Sequence, residues 1–556
     1  MRLYYRNRRG YSRACRPKVR RVFERFASSA LRGVPRKTAD FTDNYPGSVL
    51  VCRRRAAAGK PEPLMAAETF DSRTADARRM AAWPPAAALA VAAGCYLLML
   101  ALGHQLLRDP DTFWQIALGD WIMANRDVPH VDVFSHTMAG KPWISSQWLS
   151  QVAYALVYRA AGWTGVVALA AAAIACAFAL LARFLTGRLA LLPALALLTG
   201  AFVLTAPHLV ARPHVLALPV MVAWAAGLVN AVEARRAPSF LLLPLMTAWA
   251  NLHGGFTFGI MLVAPAALEA LVQAQPAQRV AVFLRWALFG VAALAAACIT
   301  PYGPESILVT ERILGLGPAL GLITEWQPQN FATLTGFGLC LLSGIGFALH
   351  RGIVLPPVRI LVLLGLLYMA LSANRNAEML GLVGPLFLAT PLRGQFGDRA
   401  PEPGGKRAGS AAGYALALVL AAAATAGAGR ALAYRPPEAI MPAQAVAAVE
   451  ASGRHNLLNS YDFGGYLIAS GVRVYVDGRT ELYGTRFMMR DQQATMLADI
   501  PSFLALLDEY DIGVTMLAAG TPAIGLLDRL PGWRRAYADD SAVVHVRDAE
   551  AGGPAG

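Results

Sequence analysis

Charge is what this sequence has least of. Only 15% of its 556 residues are Asp, Glu, Lys or Arg, where a soluble globular chain carries roughly 25%. Such a deficit is expected of a chain that lies mostly in lipid, where every ionised group is costly. The mean hydropathy of +0.43 agrees. Cysteine is sparse as well. Cys15 and Cys52 lie in a basic N-terminal stretch, and Cys95, Cys176, Cys298 and Cys340 lie in apolar runs, with no C-x-x-C spacing. Neither a disulfide framework nor a thiolate zinc site is expected. There is no P-loop and no Rossmann fingerprint, so no nucleotide site is expected either.

The net charge of +15 is concentrated at one end. Residues 1–64 hold 17 Lys and Arg against Glu24, Asp40, Asp43 and Glu62, and the remainder is close to neutral. A basic arm can bind anionic lipid or nucleic acid. This one matches no recognisable nucleic-acid-binding fold, so residues 1–82 read as a disordered cytoplasmic arm with no nucleic-acid partner. Translation from Met65 or Met80 is the other reading. A cleaved signal peptide is not expected, because the first apolar run begins only near Trp83.

Apolar runs near the ~20 residues needed to span hydrocarbon occur at 83–107, 164–186, 189–208, 213–232, 256–272, 280–299, 331–349, 355–373, 376–392 and 411–432. A shorter run at 239–252 makes eleven and closes the topology. With the arm inside, the inner loops then hold Arg183, Arg188, Arg235, Arg236, Arg279, Arg285, Arg351, Arg359, Arg393, Arg399, Lys406 and Arg407, as the positive-inside rule requires. The expectation is an α-helical polytopic membrane protein of about ten or eleven spans, with a transmembrane domain at 83–432 and an extracytoplasmic α/β domain at 433–556. Residues 108–163 form a long first outer loop with amphipathic segments at Thr112–Ala124 and Gln147–Ala160, read as interfacial helices. Residues 300–330 form a second long outer loop. In the C-terminal domain, helices are expected at Pro442–Ala451 and Ser502–Tyr510. Strands are expected at Asn456–Asn459, Val472–Val476, Ile512–Leu517 and Ala542–Val546.

Under this topology Asp109, Asp111, His208, Arg212, His214, Asn251, His253, Glu325, Arg375 and Asn376 all fall at outer ends of spans. Ionisable groups at a membrane edge are functional candidates, and their convergence points to a common polar cavity. Asp109-Pro110-Asp111 is the sharpest element, with two carboxylates able to serve as general base and as orienting or metal-binding group. The plainer alternative is that Asp111 caps a helix beginning at Thr112. Trp114, Trp121, Trp143 and Trp148 either line a sugar or lipid site or sit at the interface as Trp commonly does.

Asp-Pro-Asp after the first span, followed by Gly119-Asp120-Trp121-Ile122, Asp132-Val133-Phe134-Ser135 and Trp148-Leu149, resembles a bacterial family grouped with the GT-C glycosyltransferases, which use polyprenyl-phosphate sugars. Further marks are Arg212-Pro213-His214, Asn251-Leu252-His253-Gly254-Gly255, Thr300-Pro301-Tyr302-Gly303, Glu325-Trp326-Gln327-Pro328, Arg375-Asn376, Asn459–Leu467 and Val476-Asp477-Gly478-Arg479. The resemblance covers about 83–550. Gln115-Ile116 departs from it, standing where the family often has a His. It implies a bacterial inner-membrane enzyme that moves a sugar from a polyprenyl-phosphate donor to a glycan, lipid or protein acceptor by inverting displacement. Asp109 or Asp111 would be the catalytic base. Arg212 and Arg375 would clamp phosphate, and His208, His214, Asn251, His253, Glu325, Trp326 and Asn376 would bind substrate. No cofactor is required, with a divalent metal left open. A transporter or flippase, and a non-catalytic scaffold presenting the outer domain, are the competing readings. The outer domain, with Asp462, Asp477, Arg479 and Glu481, is expected to recognise acceptor or cover the cavity. The simpler possibility is that Asp477-Gly478 makes a turn and Arg479 pairs with Glu481.

Overall fold

A computed structural model describes residues 86–396 and 411–548, all within one compact unit. The basic arm lies outside the described residues.

A helix stands at each of the eleven apolar runs. In chain order the helices are α1 (Ala86–Ala101), α2 (Asp111–Asn125) in the first long loop, α3 (Trp148–Thr186), α4 (Leu191–Thr205), α5 (Pro213–Glu233), α6 (Leu243–Leu252), α7 (Phe256–Gln273), α8 (Arg279–Ala297), α9 (Glu305–Leu314) in the second long loop, α10 (Gly336–Arg351), α11 (Pro357–Ser372), α12 (Ala377–Phe396) and α13 (Ala411–Leu432). Six of these are long and apolar enough to cross a membrane, and four shorter apolar helices accompany them. On α13, Leu416, Leu418, Val419 and Leu420 are 58–72% exposed. In water each would forfeit about 1.5–3 kcal/mol of burial, whereas hydrocarbon solvates them. The chain is an α-helical, multi-pass membrane protein with a C-terminal α/β domain.

Charge at the helix ends remote from the candidate residues is organised more tightly than expected. Arg188 and Arg359, read from the sequence as simple inner-loop cations, are paired. The Arg188 Nη2 lies 2.9 Å from Glu233, and the buried Arg359 bonds Glu269 at 2.7 Å and Glu233 at 3.3 Å. In a low-dielectric interior an arginine needs such a counter-charge.

The C-terminal domain consists of α14 (Ala443–Ala451), β1 (Leu457–Asn459), α15 (Gly464–Ala469), α16 (Thr480–Thr495), α17 (Ile500–Glu509), β2 (Val514–Ala518), α18 (Pro522–Leu527), β3 (Trp533–Ala538) and β4 (Ala542–Arg547). The sheet order is β1-β2-β4-β3, with β1 parallel to β2 and the other pairs antiparallel. The expected strand at Val472–Val476 does not join this sheet. Val474 instead makes a single bridge to Ser135 of the first long loop, with His136 N–H bonding the Val474 carbonyl at 3.0 Å. The alternating pattern was real, but its partner lies in another part of the chain.

That bridge belongs to an extensive junction. Trp114, Leu118, Ile122, Trp143 and Tyr302 from the two long loops share one apolar core with Val446, Phe463, Leu467 and Val544 of the C-terminal domain. Both long loops and the C-terminal domain therefore lie on one face. The helix α2 is consequently enclosed between α3 and this domain, with Thr112, Trp114 and Gln115 all buried. It is not the surface-lying helix expected from its amphipathic pattern. Trp114 and Trp143 pack edge to face at 6.4 Å inside this core, so they do not line a ligand site. The helix α3 begins at Trp148, one residue into the expected Gln147–Ala160 segment, and breaks at Gly162 (φ 56°, ψ −145°) before continuing as a span. Glycine alone adopts that conformation without strain.

Candidate active site

Arg212 precedes Pro213, and proline disfavours the helical region for the residue before it. Arg212 is accordingly extended (φ −121°, ψ 162°) at the N-terminus of α5. Its carbonyl accepts the Tyr154 hydroxyl at 3.1 Å. The guanidinium is thereby aimed at three carboxylates. It lies 3.3 Å from Asp109 and 3.1 Å from Glu325, and its other terminal nitrogen bonds Asp111.

The Asp-Pro-Asp segment is arranged differently from the sequence expectation. The helix α2 begins at Asp111 itself, and the Asp109 Oδ1 accepts the Asp111 N–H at 2.9 Å. Asp109 thus satisfies one of the open donors at the helix start, and Asp111 is not the cap. The reason is the intervening proline, whose φ of −66° and ψ of −25° bring the first carboxylate back over the turn. Asp111 is buried. Burial, opposed by the nearby Arg212 and reinforced by Asp109, pushes its carboxyl up to about 7. Two glycines of the C-terminal domain press on this segment. A Cβ at Gly478 would lie 1.9 Å from the Asp111 Oδ1, and one at Gly465 would lie 2.2 Å from the Pro110 carbonyl oxygen.

Glu325 and Arg375 sit on two single-turn 3-10 segments, Thr324–Trp326 and Asn374–Asn376. Backbone bonds tie these turns together, with Asn374 N–H to the Gln327 carbonyl at 2.9 Å and Gln329 N–H to the Leu371 carbonyl at 3.1 Å. Arg375 then reaches the Glu325 Oε1 at 3.1 Å while its guanidinium lies 4.6 Å over the Trp326 ring. The two Glu325 oxygens therefore bridge two guanidiniums. Burial alone would raise the Glu325 carboxyl, but Arg212 and Arg375 outweigh it and hold the group at about 2.

Beside this cluster lies a cavity of about 510 Å³ lined by Arg108, Asp109, His208, His214, Glu325, Arg375 and Glu378, with an apolar wall that includes Val203, Leu204, Val210 and Phe337. Five of the sequence-derived candidates thus share it, and Asp111 and Arg212 adjoin it through ion pairs. Others have different work. Asn251 accepts the Trp148 indole N–H at 2.7 Å and donates to the Thr247 and Ile299 carbonyls. Asn376 bonds the Met369 carbonyl at 3.1 Å at the end of α11. His253 accepts the Gly255 N–H at 3.1 Å, and its ring packs 6.1 Å from that of His214. Trp326 supports Arg375 without lining the cavity. Arg108 and Glu378 were missed, although each is an ionisable residue at the edge of an apolar run, the same signal that marked the others.

Carboxylates at this density raise the question of a metal ion. Among the described residues no group of three or more His, Cys, Asp or Glu side chains is placed to hold one. The point where Asp109, Asp111 and Glu325 converge is filled by the Arg212 guanidinium, so the residues present do not fit a metal there.

In the C-terminal domain, Arg479 does not pair with Glu481. It is fully buried, bonds both Asp477 oxygens at 2.8 and 2.7 Å, and reaches Asp132 of the first long loop at 2.5 Å. Glu481 accepts the Trp143 indole N–H at 3.0 Å. These contacts cross the junction between loop and domain. Asp462 lies outside this group; burial, with a smaller contribution from Asp109, raises its carboxyl.

Comparison with solved structures finds the oligosaccharyltransferase of Archaeoglobus fulgidus in its apo form, with a TM-score of 0.44 and 10% identity over 78% of this chain and 69% of that one. It also finds AglB, an archaeal oligosaccharyltransferase from Archaeoglobus fulgidus, in complex with an inhibitory peptide and a dolichol-phosphate, with a TM-score of 0.44 and 11% identity over 84% and 75% of the two chains. No family model and no curated protein matches the chain.

Proposed function

We propose that this protein is a glycosyltransferase that moves a sugar from a polyprenyl-phosphate donor to an acceptor hydroxyl, outside the cytoplasm of a bacterial inner membrane. The observation that carries the reading is the Glu325 carboxylate bridging Arg212 and Arg375, at 3.1 Å from each, on the rim of a cavity with an apolar wall. A carboxylate between two guanidiniums occupies a position that suits a phosphate, whose oxygens guanidinium groups match in a bidentate way. The donor phosphate displaces Glu325, and its prenyl chain follows the Val203, Leu204 and Phe337 wall.

The acceptor oxygen attacks the anomeric carbon as the bond from that carbon to the phosphate oxygen breaks. The leaving electron pair settles on the phosphate, where Arg212 and Arg375 stabilise it. The hydroxyl proton passes to Asp109, which lines the cavity, and a single displacement inverts configuration. Asp111 holds Arg212 and is a positioning residue. The C-terminal domain supports the Asp109–Asp111 segment from behind, where Gly465 meets Pro110 and Gly478 meets Asp111.

Binding to the purified full chain in nanodiscs tests the reading. Undecaprenyl phosphate is expected to bind the wild type, and Arg375→Gln is expected to weaken that binding at least about tenfold, the loss of a charge-assisted contact. Absence of binding to the wild type, together with no lipid-linked sugar accumulating in a deletion strain, would overturn it.

A further inference from the structure

We infer that the prenyl chain of the donor leaves the cavity past Phe337 and lies in an open gap beside the middle of α10. The inference rests on the donor reading given above.

The helix α10 is pinned at its two ends. At the cavity end Phe337, which lines the cavity, packs in a small apolar cluster with Ala370 of α11 and Ala377 of α12. A Cβ at Gly336 would lie 2.8 Å from the Val203 Cγ1, so the helix also meets α4 closely there. At the other end the Phe347 ring lies 5.7 Å from that of Phe396, and the Arg351 guanidinium lies 4.9 Å over the same ring. Between these contacts the helix stands free. Of its 16 residues only Phe337 and Gly338 are buried, and residues 342–347 are all exposed. At about 3.6 residues per turn such a stretch passes through more than a full turn. The side facing the bundle is therefore uncovered along with the side facing lipid. A Cβ at Gly344 or at Gly346 would meet no atom within 4 Å among the described residues.

The surroundings define the occupant's chemistry. Residues 337–349 carry no charge and a single hydroxyl, that of Ser343, so the gap suits hydrocarbon. A cavity of about 510 Å³ is sized for a small-molecule ligand, and a polyprenyl chain of many isoprene units must extend beyond it. Phe337 belongs both to the cavity wall and to α10, which sets the gap at the cavity's edge. Once the donor phosphate rests on Arg212 and Arg375, its chain is tethered there, and entry into the adjoining gap becomes an intramolecular event. An untethered phospholipid tail has no such advantage.

The test uses the full chain in nanodiscs with two probes, undecaprenyl phosphate and the much shorter farnesyl phosphate. Gly344→Trp and Gly346→Trp fill the gap at positions where nothing is displaced. Both variants are expected to weaken undecaprenyl phosphate about tenfold while farnesyl phosphate binds as it does to the wild type and Tm holds. A photoactivatable group at the far end of the undecaprenyl chain is expected to label α10. Unchanged affinity for undecaprenyl phosphate in both variants would overturn the inference and assign the gap to bulk lipid. Equal loss for both probes would overturn it too, as would a change of oligomeric state without a change of affinity, which would assign the exposed face to a second copy of the chain. Failure of the wild type to bind either probe would instead remove the donor reading on which the inference rests.

Discussion

The Asp109 carboxylate accepts the backbone N–H of Asp111 at 2.9 Å, so the first acid of the pair caps the helix that the second one begins. The same Asp109 carboxylate lines the cavity, whereas Asp111 lies behind it against Gly478. Asparagine at position 109 retains an oxygen for the cap and gives up the basicity and one of three carboxylate charges around Arg212, which Asp111 and Glu325 still neutralise. Asp109→Asn should therefore leave the Tm of the purified protein nearly unchanged. Sugar transfer should fall by about 10²–10⁴, the usual worth of general-base assistance. Near-wild-type turnover would remove the base assignment.

Asp111 should show itself as a pH limb. Its carboxyl is pushed from the ordinary 3.8 up to about 7 by burial, so the folded protein keeps this proton to higher pH than the unfolded chain does. The group's contribution to stability is full below 3.8 and is lost as pH rises through about 7. Activity runs the other way, because only the ionised Asp111 holds Arg212. Turnover should decline below about pH 7, and Asp111→Asn should flatten that limb at a lower plateau. An unchanged profile in the variant would show that another group titrates there.

Gly465→Ala should undock the C-terminal domain. Its new Cβ would meet a backbone oxygen at 2.2 Å, and backbone cannot step aside as a side chain can. Overpacking of this kind typically costs about 1–3 kcal/mol. Limited proteolysis should cut the variant faster between α13 and α14 than the wild type, with binding of undecaprenyl phosphate retained. Equal protection would show that the contact is not needed for docking.

Arg479 should be the most sensitive position of the junction. It has no solvent exposure and neutralises Asp132 and Asp477 together. Breaking a buried pair from one side costs about 3–5 kcal/mol, because the remaining charges stay buried. Arg479→Met should lower Tm sharply, and adding Asp132→Asn and Asp477→Asn should restore part of the loss. No recovery in the triple variant would assign the effect to packing against Trp143, which lies 4.8 Å from the guanidinium.

An alkaline phosphatase fused after residue 548 should be active, as the positive-inside reading of the basic loops expects. An inactive fusion would reverse the topology.

The membrane part was legible from the linear sequence because spanning is a one-dimensional requirement. A run of some twenty apolar residues must satisfy its backbone internally, and only a helix does so. Hence each of the eleven runs corresponds to a helix, even the short one ending at Leu252. The charged candidates were legible for the same reason, since a polar residue at the end of an apolar run stands out.

Which of those candidates meet was decided only by tertiary structure. Asn251 and Arg212 carry the same linear signal, yet Asn251 is consumed by Trp148 and two carbonyls while Arg212 gathers three carboxylates. Apart from the local Thr247 carbonyl, these partners lie 48 to 113 positions away, and no local pattern encodes them. The same holds for Val474, whose alternation forecast a strand but could not name Ser135 as its neighbour. The sequence by itself determined the helices and the stock of ionisable groups, because hydrocarbon sorts residues one at a time. Packing alone decided that Asp109 caps while Asp111 is buried, and that Arg479 locks the loop to the domain, because each depends on atoms brought together from distant segments.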